Sequence, residues 1–329
     1  AVRVVTREGI SGVRWRIDYV REFHKYAGAQ GFIDCQSSFA PPVAATRANV
    51  LFADWHVALS RAAAGAAQPY TGTITLSAVL HNSERWLPAF LRSLERQSFP
   101  VRQINLVFVD NGSSDGTCTV LKAYAQASGH LYASLRIIEQ DNVGFGAGHD
   151  VAIGSSTDDL VLVTNVDLEF HKEGLAQAVA AAVSDEADVA SWELRQCPYE
   201  HPKYYDPVTL ETSWSAHACT LLRRSAYDAV GGYEKKIFMY GEDVELSYRL
   251  RGAGWRLRYV PFATVTHHVD FEDGTLRPHQ VSGSIAANIL LRHRYGTSGE
   301  AAEGERLAGV LARGERDGGG AVGAARGPE

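Results

Sequence analysis

Three short stretches set polar side chains where an apolar run ends. They are His81-Asn82, Asp110-Asn111 and Asn165-Val166-Asp167. A carboxylate in such a place, here Asp167, can hold a divalent cation, and hard cations take oxygen ligands shared with phosphates. A carboxylate at Asp110 can accept the N3–H of a uracil or thymine ring. Asp and Asn are also common turn formers and helix caps, so one stretch alone does not decide. Further on, Glu242 and Asp243 stand side by side just ahead of a helical pattern. They read either as an acidic N-cap or as a general base that takes a proton from an attacking hydroxyl. His267-His268 is either structural or a further metal ligand.

These groups need a scaffold. Residues 73–80, 104–109, 135–138 and 161–170 are apolar, β-branched runs that predict buried strands. Helical patterns fall between them, at 84–97 and 118–128. Strands alternating with helices predict a parallel sheet with right-handed crossovers. In such a sheet ligands bind outside the carboxyl ends of the strands, where the three polar stretches converge on one crevice. The second half predicts a helix at 174–182, strands at 188–192 and 216–222, and a short helix at 225–230. A helix at 242–252, strands at 255–260 and 265–268, and a helix at 282–295 follow.

Asn142 to Asp150 is glycine-rich and leads into a helix, but the third glycine of G-x-G-x-x-G would fall on His149, so a dinucleotide fold is not indicated. Its glycines allow close backbone approach to a ligand or tight packing. The loop at 198–214 carries Tyr199, Tyr204, Tyr205 and Trp214, whose faces suit sugar rings or simply cover the core.

Composition sets limits. The 329 residues are 45% hydrophobic, enough for a large core, and the net charge of −6 argues against bulk nucleic-acid binding. Four scattered cysteines without a C-x-x-C pair argue against a zinc site or disulfide scaffold and fit a reducing compartment. No apolar run is long enough to cross a membrane and no signal peptide is evident. The expectation is a cytoplasmic protein, with peripheral association at the inner membrane face left open. Residues 1–70 read as a small module or extension of unknown role, and 297–329 as a disordered tail.

Taken in order, 109–117, 142–150, Asn165-Val166-Asp167, Gly231-Gly232-Tyr233 with 238–243, and Val265-Thr266-His267 resemble family 2 glycosyltransferases of GT-A fold, especially rhamnosyltransferase-like members. The resemblance implies a mostly parallel α/β sheet flanked by helices, spanning residues 71–296. It implies an inverting transferase that moves a sugar from a UDP- or dTDP-sugar to a hydroxyl of a saccharide, lipid-linked or other acceptor, with Mn²⁺ or Mg²⁺ as cofactor. Asp110 takes the role of base-binding acid. Asp167 takes that of metal-binding acid, with Asn165 in place of the family's first Asp, and His267 that of the late metal ligand. Asp243 is the catalytic base, and Glu242 its neighbour that orients the acceptor. His81, Asn142 and Gly144 border the donor, and Trp214 and Tyr240 lie on the acceptor side. His81-Asn82 departs from the more usual Tyr-Asn, and Asp150 sits where Asn is common. The competing reading is an inactive sugar-binding or scaffolding protein on the same fold. A nucleotidyltransferase would need a basic, glycine-rich triphosphate loop after the first strand, which 81–85 lacks.

Overall fold

The computed structural model describes residues 70–317 except 199, 202 and 269–277. The expected N-terminal module thus lies outside the described residues, apart from its last residue. β1 (Ile74–Leu80), β2 (Ile104–Asn111), β3 (Ser134–Gln140) and β4 (Leu160–Thr164) are joined by α1 (Leu87–Glu95), α2 (Thr117–Ser128) and α3 (Phe145–Gly154). They pair in parallel in the order β3-β2-β1-β4. This is the doubly covered parallel half that the apolar runs predict. β1 is buried along nearly its whole length, and Phe90 of α1 packs between Phe108 of β2 and Phe170, with ring centroids 6.5 and 5.9 Å away. In this register Leu80 lies opposite Asp110, so the polar groups following both strands emerge together.

Beyond β4 the sheet becomes mixed. β5 (Leu168–Phe170), α4 (Gly174–Ser184), β6 (Val189–Cys197), β7 (Cys219–Arg223), α5 (Arg224–Ala229), α6 (Glu242–Gly252) and β8 (Arg256–His267) complete an eight-stranded order β3-β2-β1-β4-β7-β6-β8-β5. β7 runs antiparallel to β4 and β6, β6 runs parallel to β8, and β5 runs antiparallel to β8.

Two strand predictions need correcting. The run 161–170 is not one strand: it breaks after Thr164, where the Asn165 N–H donates to the Ala218 carbonyl at 2.8 Å, and resumes as β5 on the far edge of the sheet. Asp167 therefore sits in a turn between strands. Conversely, residues 256–267 form one strand, because the β6–β8 register skips from Leu194↔Val260 to Arg195↔Thr264. That irregularity accommodates Pro261, which cannot donate to a ladder.

Of the expected disordered tail, residues 298–317 are helical and 318–329 lie outside the described residues. After α7 (Pro278–Tyr295) the chain forms α8 (Ser298–Asp317). Thr297 and Glu300 cap it reciprocally: the Thr297 N–H donates to Glu300 Oε2 at 2.7 Å and the Glu300 N–H to Thr297 Oγ1 at 3.3 Å. Glu303 and Arg306 pair at 2.6 Å, and Gly304 packs against Arg292 of α7. A capped end and a neighbouring helix offset the low apolar content that suggests disorder.

Candidate functional site

At the ends of β1 and β2, the His81 Nδ1–H donates to the Asn111 carbonyl at 2.8 Å. Asn82, at φ 51°, accepts the Ser114 N–H at 2.7 Å and donates its own N–H to Ser113 Oγ at 2.9 Å. Asp110 is buried, and its carboxylate accepts the Ser113 N–H at 3.2 Å, the Ser113 hydroxyl and the Cys118 thiol at 3.1 Å. Burial, with Asp110 and Glu139 adding to it, pushes the Cys118 thiol up to about 12, so it stays a donor. Asp115 stands at the start of α2. Burial acts to raise its pKa, but hydrogen bonds from Thr117 and then from the Glu84 N–H outweigh it and hold the carboxyl below its ordinary value.

The glycine-rich turn meets this edge at Gly144. Its φ of +94° belongs to glycine, its N–H donates to Asn142 Oδ1 at 3.1 Å, and its carbonyl accepts Asn111 Nδ2 at 2.9 Å. A Cβ there would lie 2.3 Å from the Phe238 carbonyl oxygen, which already accepts the Phe145 N–H at 2.9 Å. Gly144→Ala combines a left-handed backbone with a backbone clash, and such strain costs about 1–3 kcal/mol. At about 2–4 °C per kcal/mol for a domain of this size, the expected result is a thermal midpoint several degrees lower. A scanning-calorimetry midpoint equal to that of the parent would contradict this account.

At the far edge of the sheet, β5 and β8 pair Leu168 with His267. The His267 Nδ1–H donates to Gln196 Oε1 at 2.8 Å, which leaves Nε2 with its lone pair 3.4 Å from Asp167 Oδ1. A lone pair and a carboxylate oxygen repel at that distance unless a proton or a cation lies between them. The arrangement suits a cation, since a ligating histidine is normally oriented through its other nitrogen. His268 points elsewhere: its Nε2 lies 2.7 Å from Glu169 Oε1, and its ring stacks on Trp86 at 5.8 Å. Among the described residues no three His, Cys, Asp or Glu side chains group closely enough to hold a metal. Asp167 and His267 are thus two candidate side chains, fewer than a metal ion takes from a protein-only site.

The third part is the start of α6. Tyr240 and Gly241 both have positive φ, 69° and 97°, and turn the chain into the helix. Small residues of α7 hold this turn: a Cβ on Gly283 would lie 2.7 Å from the Met239 carbonyl oxygen, and one on Gly241 2.7 Å from the Ala287 Cβ. Asp243 is half-buried in the first helical turn, where the helix dipole favours an acid, and accepts the Val244 N–H at 2.8 Å. Glu242 is only 5% exposed, and its Oε2 has no partner among the described residues. Burial, with Asp243 next to it, pushes Glu242 up to about 8.

A raised carboxyl pKa means that the folded chain holds a proton that the unfolded chain gives up near pH 4.3. The resulting destabilisation is absent below that pH, grows as pH rises and is complete above about 8. Glu242→Gln is therefore expected to melt above the parent at pH 8–9 and level with it near pH 4. A midpoint difference that stays constant across that range would remove the basis for a protonated Glu242.

Several neighbours were not foreseen. His217 is fully buried, pairs with Tyr233 Oη at 2.6 Å, and is lowered by burial to about 4. Lys203 is lowered to about 7 by burial, against the pull of Asp243. Its ammonium binds the Glu193 carboxylate and the Trp214 carbonyl at 3.1 Å, and lies 4.7 Å from the Trp214 ring centre. This fixes half-buried Trp214 against Lys203. Desolvation lowers the pKa of His201, with Asp243 favouring its charged form and His267 opposing it. Among these residues only Trp214 follows from composition, as an aromatic in a loop. Gln196, His201, Lys203 and His217 owe their places to pairings between distant strands and loops.

The family described as "Glycosyl transferase family 2" matches residues 78–244. The N-acetylglucosaminyl-diphospho-decaprenol L-rhamnosyltransferase of Mycobacterium tuberculosis is 26% identical over 271 residues, covering 68% of this chain and 82% of that protein. The rhamnosyltransferase WbbL of Escherichia coli is 25% identical over 233 residues, covering 59% and 83%. Among solved structures, the mannosyltransferase PcManGT of Pyrobaculum calidifontis, in complex with GDP-Man and Mn2+, superposes with a TM-score of 0.54 at 16% identity. It covers 83% of this chain and 91% of that one, a likeness of fold.

Proposed function

The chain belongs to glycosyl transferase family 2, and from that premise we propose that it is a metal-dependent, inverting enzyme. It would transfer a sugar from a UDP- or dTDP-sugar, with dTDP-rhamnose the leading candidate, to a hydroxyl of a saccharide or lipid-linked acceptor. The observation that carries this reading is the Asp167–His267 pair, its Nε2 aimed at a carboxylate oxygen and its tautomer fixed by Gln196. The chain's similarity to two rhamnosyltransferases supports the choice of sugar, and one of these is named for a lipid-linked acceptor.

In this scheme Asp110 accepts the N3–H of the base, held in place by Ser113 and Cys118. His81, Asn142, Gly144 and Asn165 border the donor. A bound Mn²⁺ or Mg²⁺ would supply Lewis-acid stabilisation of the charge that develops on the departing diphosphate. Asp243 takes the acceptor proton as that oxygen attacks the anomeric carbon. Glu242, buried and protonated, keeps a second negative charge away from the base. Trp214 and Tyr240 flank the acceptor. The catalytic domain is placed at 71–296, with α8 as an appended helix and residues 1–70 as a separate extension. None of the helices of the described residues is long and apolar enough to cross a membrane. On this reading a lipid-linked acceptor would be met peripherally, at the cytoplasmic face.

A thermal-shift screen of UDP-, dTDP- and GDP-sugars, each with and without Mn²⁺, tests the reading. A dTDP- or UDP-sugar is expected to raise the midpoint only when the metal is present. If none of these nucleotides moves the midpoint under either condition, the transferase assignment is wrong for this chain.

A further inference from the structure

His201 lies in the loop leaving β6, and that loop starts level with the metal pair. β6 runs parallel to β8 with Gln196 opposite Val265 and Cys197 opposite Thr266, one residue short of His267. Anchors flank His201 on both sides. Before it, the Glu200 carboxylate accepts the Tyr259 hydroxyl of β8. After it, Lys203 is fastened to Glu193 and Trp214. The far end of the loop is tied to the base helix: the Ser215 N–H donates to Ser247 Oγ at 3.1 Å, and that hydroxyl donates to the Asp243 carbonyl at 2.7 Å.

The His201 ring packs against Trp214, centroids 5.6 Å apart, and the residue is open to solvent. Its ring nitrogens have no hydrogen-bond partner among the described residues. Packing of the ring against the loop desolvates it and lowers its pKa although part of the residue stays exposed, with Asp243 favouring the charged form and His267 opposing it, and the shift favours the neutral ring. Neutral imidazole offers one donor and one acceptor.

In the proposed reaction the anomeric carbon moves from a diphosphate held at Asp167 and His267 to an oxygen deprotonated at Asp243. The loop that carries His201 starts level with the first of these ends and is tied at Ser215 to the helix of the second, with the His201 ring on Trp214 between them, so the ring borders that path. We propose that His201 contacts the sugar in transit, hydrogen-bonding one of its hydroxyls, and thereby helps determine which sugar is accepted. This rests on the glycosyltransferase reading and extends it, since the nucleotide, the metal and the base each have other residues. A neutral ring suits the place because it neither repels the metal nor competes with Asp243 for the acceptor proton.

The test compares His201→Phe, which keeps ring bulk against Trp214, with His201→Gln, which restores a donor and an acceptor. Calorimetric titration in Mn²⁺ measures dTDP against dTDP-rhamnose and UDP against UDP-N-acetylglucosamine. A neutral hydrogen bond is worth about 0.5–1.5 kcal/mol. The Phe variant should therefore bind the preferred sugar nucleotide about 3–10-fold more weakly. Its affinity for the matching free diphosphate should stay within about twofold of the parent, and the Gln variant should recover part of the loss. If sugar nucleotide and free diphosphate weaken together, or neither changes, the contact with the sugar is refuted. Should the parent chain bind none of the four nucleotides, the transferase reading itself fails, an outcome separate from any difference between the variants.

Discussion

Asp243→Asn should lower sugar transfer by about 10²–10⁴-fold, the usual contribution of a positioned general base, while leaving donor affinity near that of the parent. The amide keeps the size of the side chain and can still accept the Val244 N–H, so helix α6 should start in the same place. What is lost is the ability to take the acceptor proton. The effect should fall on kcat, with the acceptor KM little changed, because the missing interaction is one made in the transition state. A variant that turns over at a rate close to the parent's would mean that the base is another residue. Weakened donor binding without a loss of kcat would place Asp243 on the nucleotide instead.

Asp167→Ala should have an effect of similar size by a different route. It removes one of the two side chains proposed to hold the metal, which face each other at 3.4 Å, and leaves His267 without that carboxylate. Donor affinity and its dependence on Mn²⁺ should fall together, while nucleotide binding through Asp110 falls much less. Chelation of the parent with EDTA should reproduce the donor phenotype, and chelation of the variant should add little to it. If the variant binds the sugar nucleotide as the parent does, with the same response to Mn²⁺, then Asp167 is not a metal ligand.

The parallel half of the sheet was legible because its inner strands are buried on both faces and therefore mostly apolar, as at 106–109 and 160–163. The polar stretches that follow were readable as a candidate site because parallel strands present their carboxyl ends at one edge, and β1, β2 and β4 do pair in parallel. Local patterns gave out where pairing partners are distant. Residues 161–170 look like one strand, and only the bond from Asn165 to Ala218 and the pairing of Leu168 with His267 show why the chain turns. Gln196 reaches His267 through the β6–β8 register, which no periodicity reveals. His201 and Lys203 belong to a loop with no pattern of its own, held by a buried charge pair. The helix at 298–317 carries a signal that composition obscures, the Thr297-Ser298-Gly299-Glu300 capping box.

The Phe238 carbonyl receives the Phe145 amide and leaves no space for a side chain on Gly144. One peptide unit thus rivets the turn proposed to border the donor to the turn that leads to the proposed base. On that reading the spacing between leaving group and attacking oxygen is cut to length during folding and does not wait for substrates to arrive. Inserting a single residue into either turn would throw the two out of step while leaving each side chain intact.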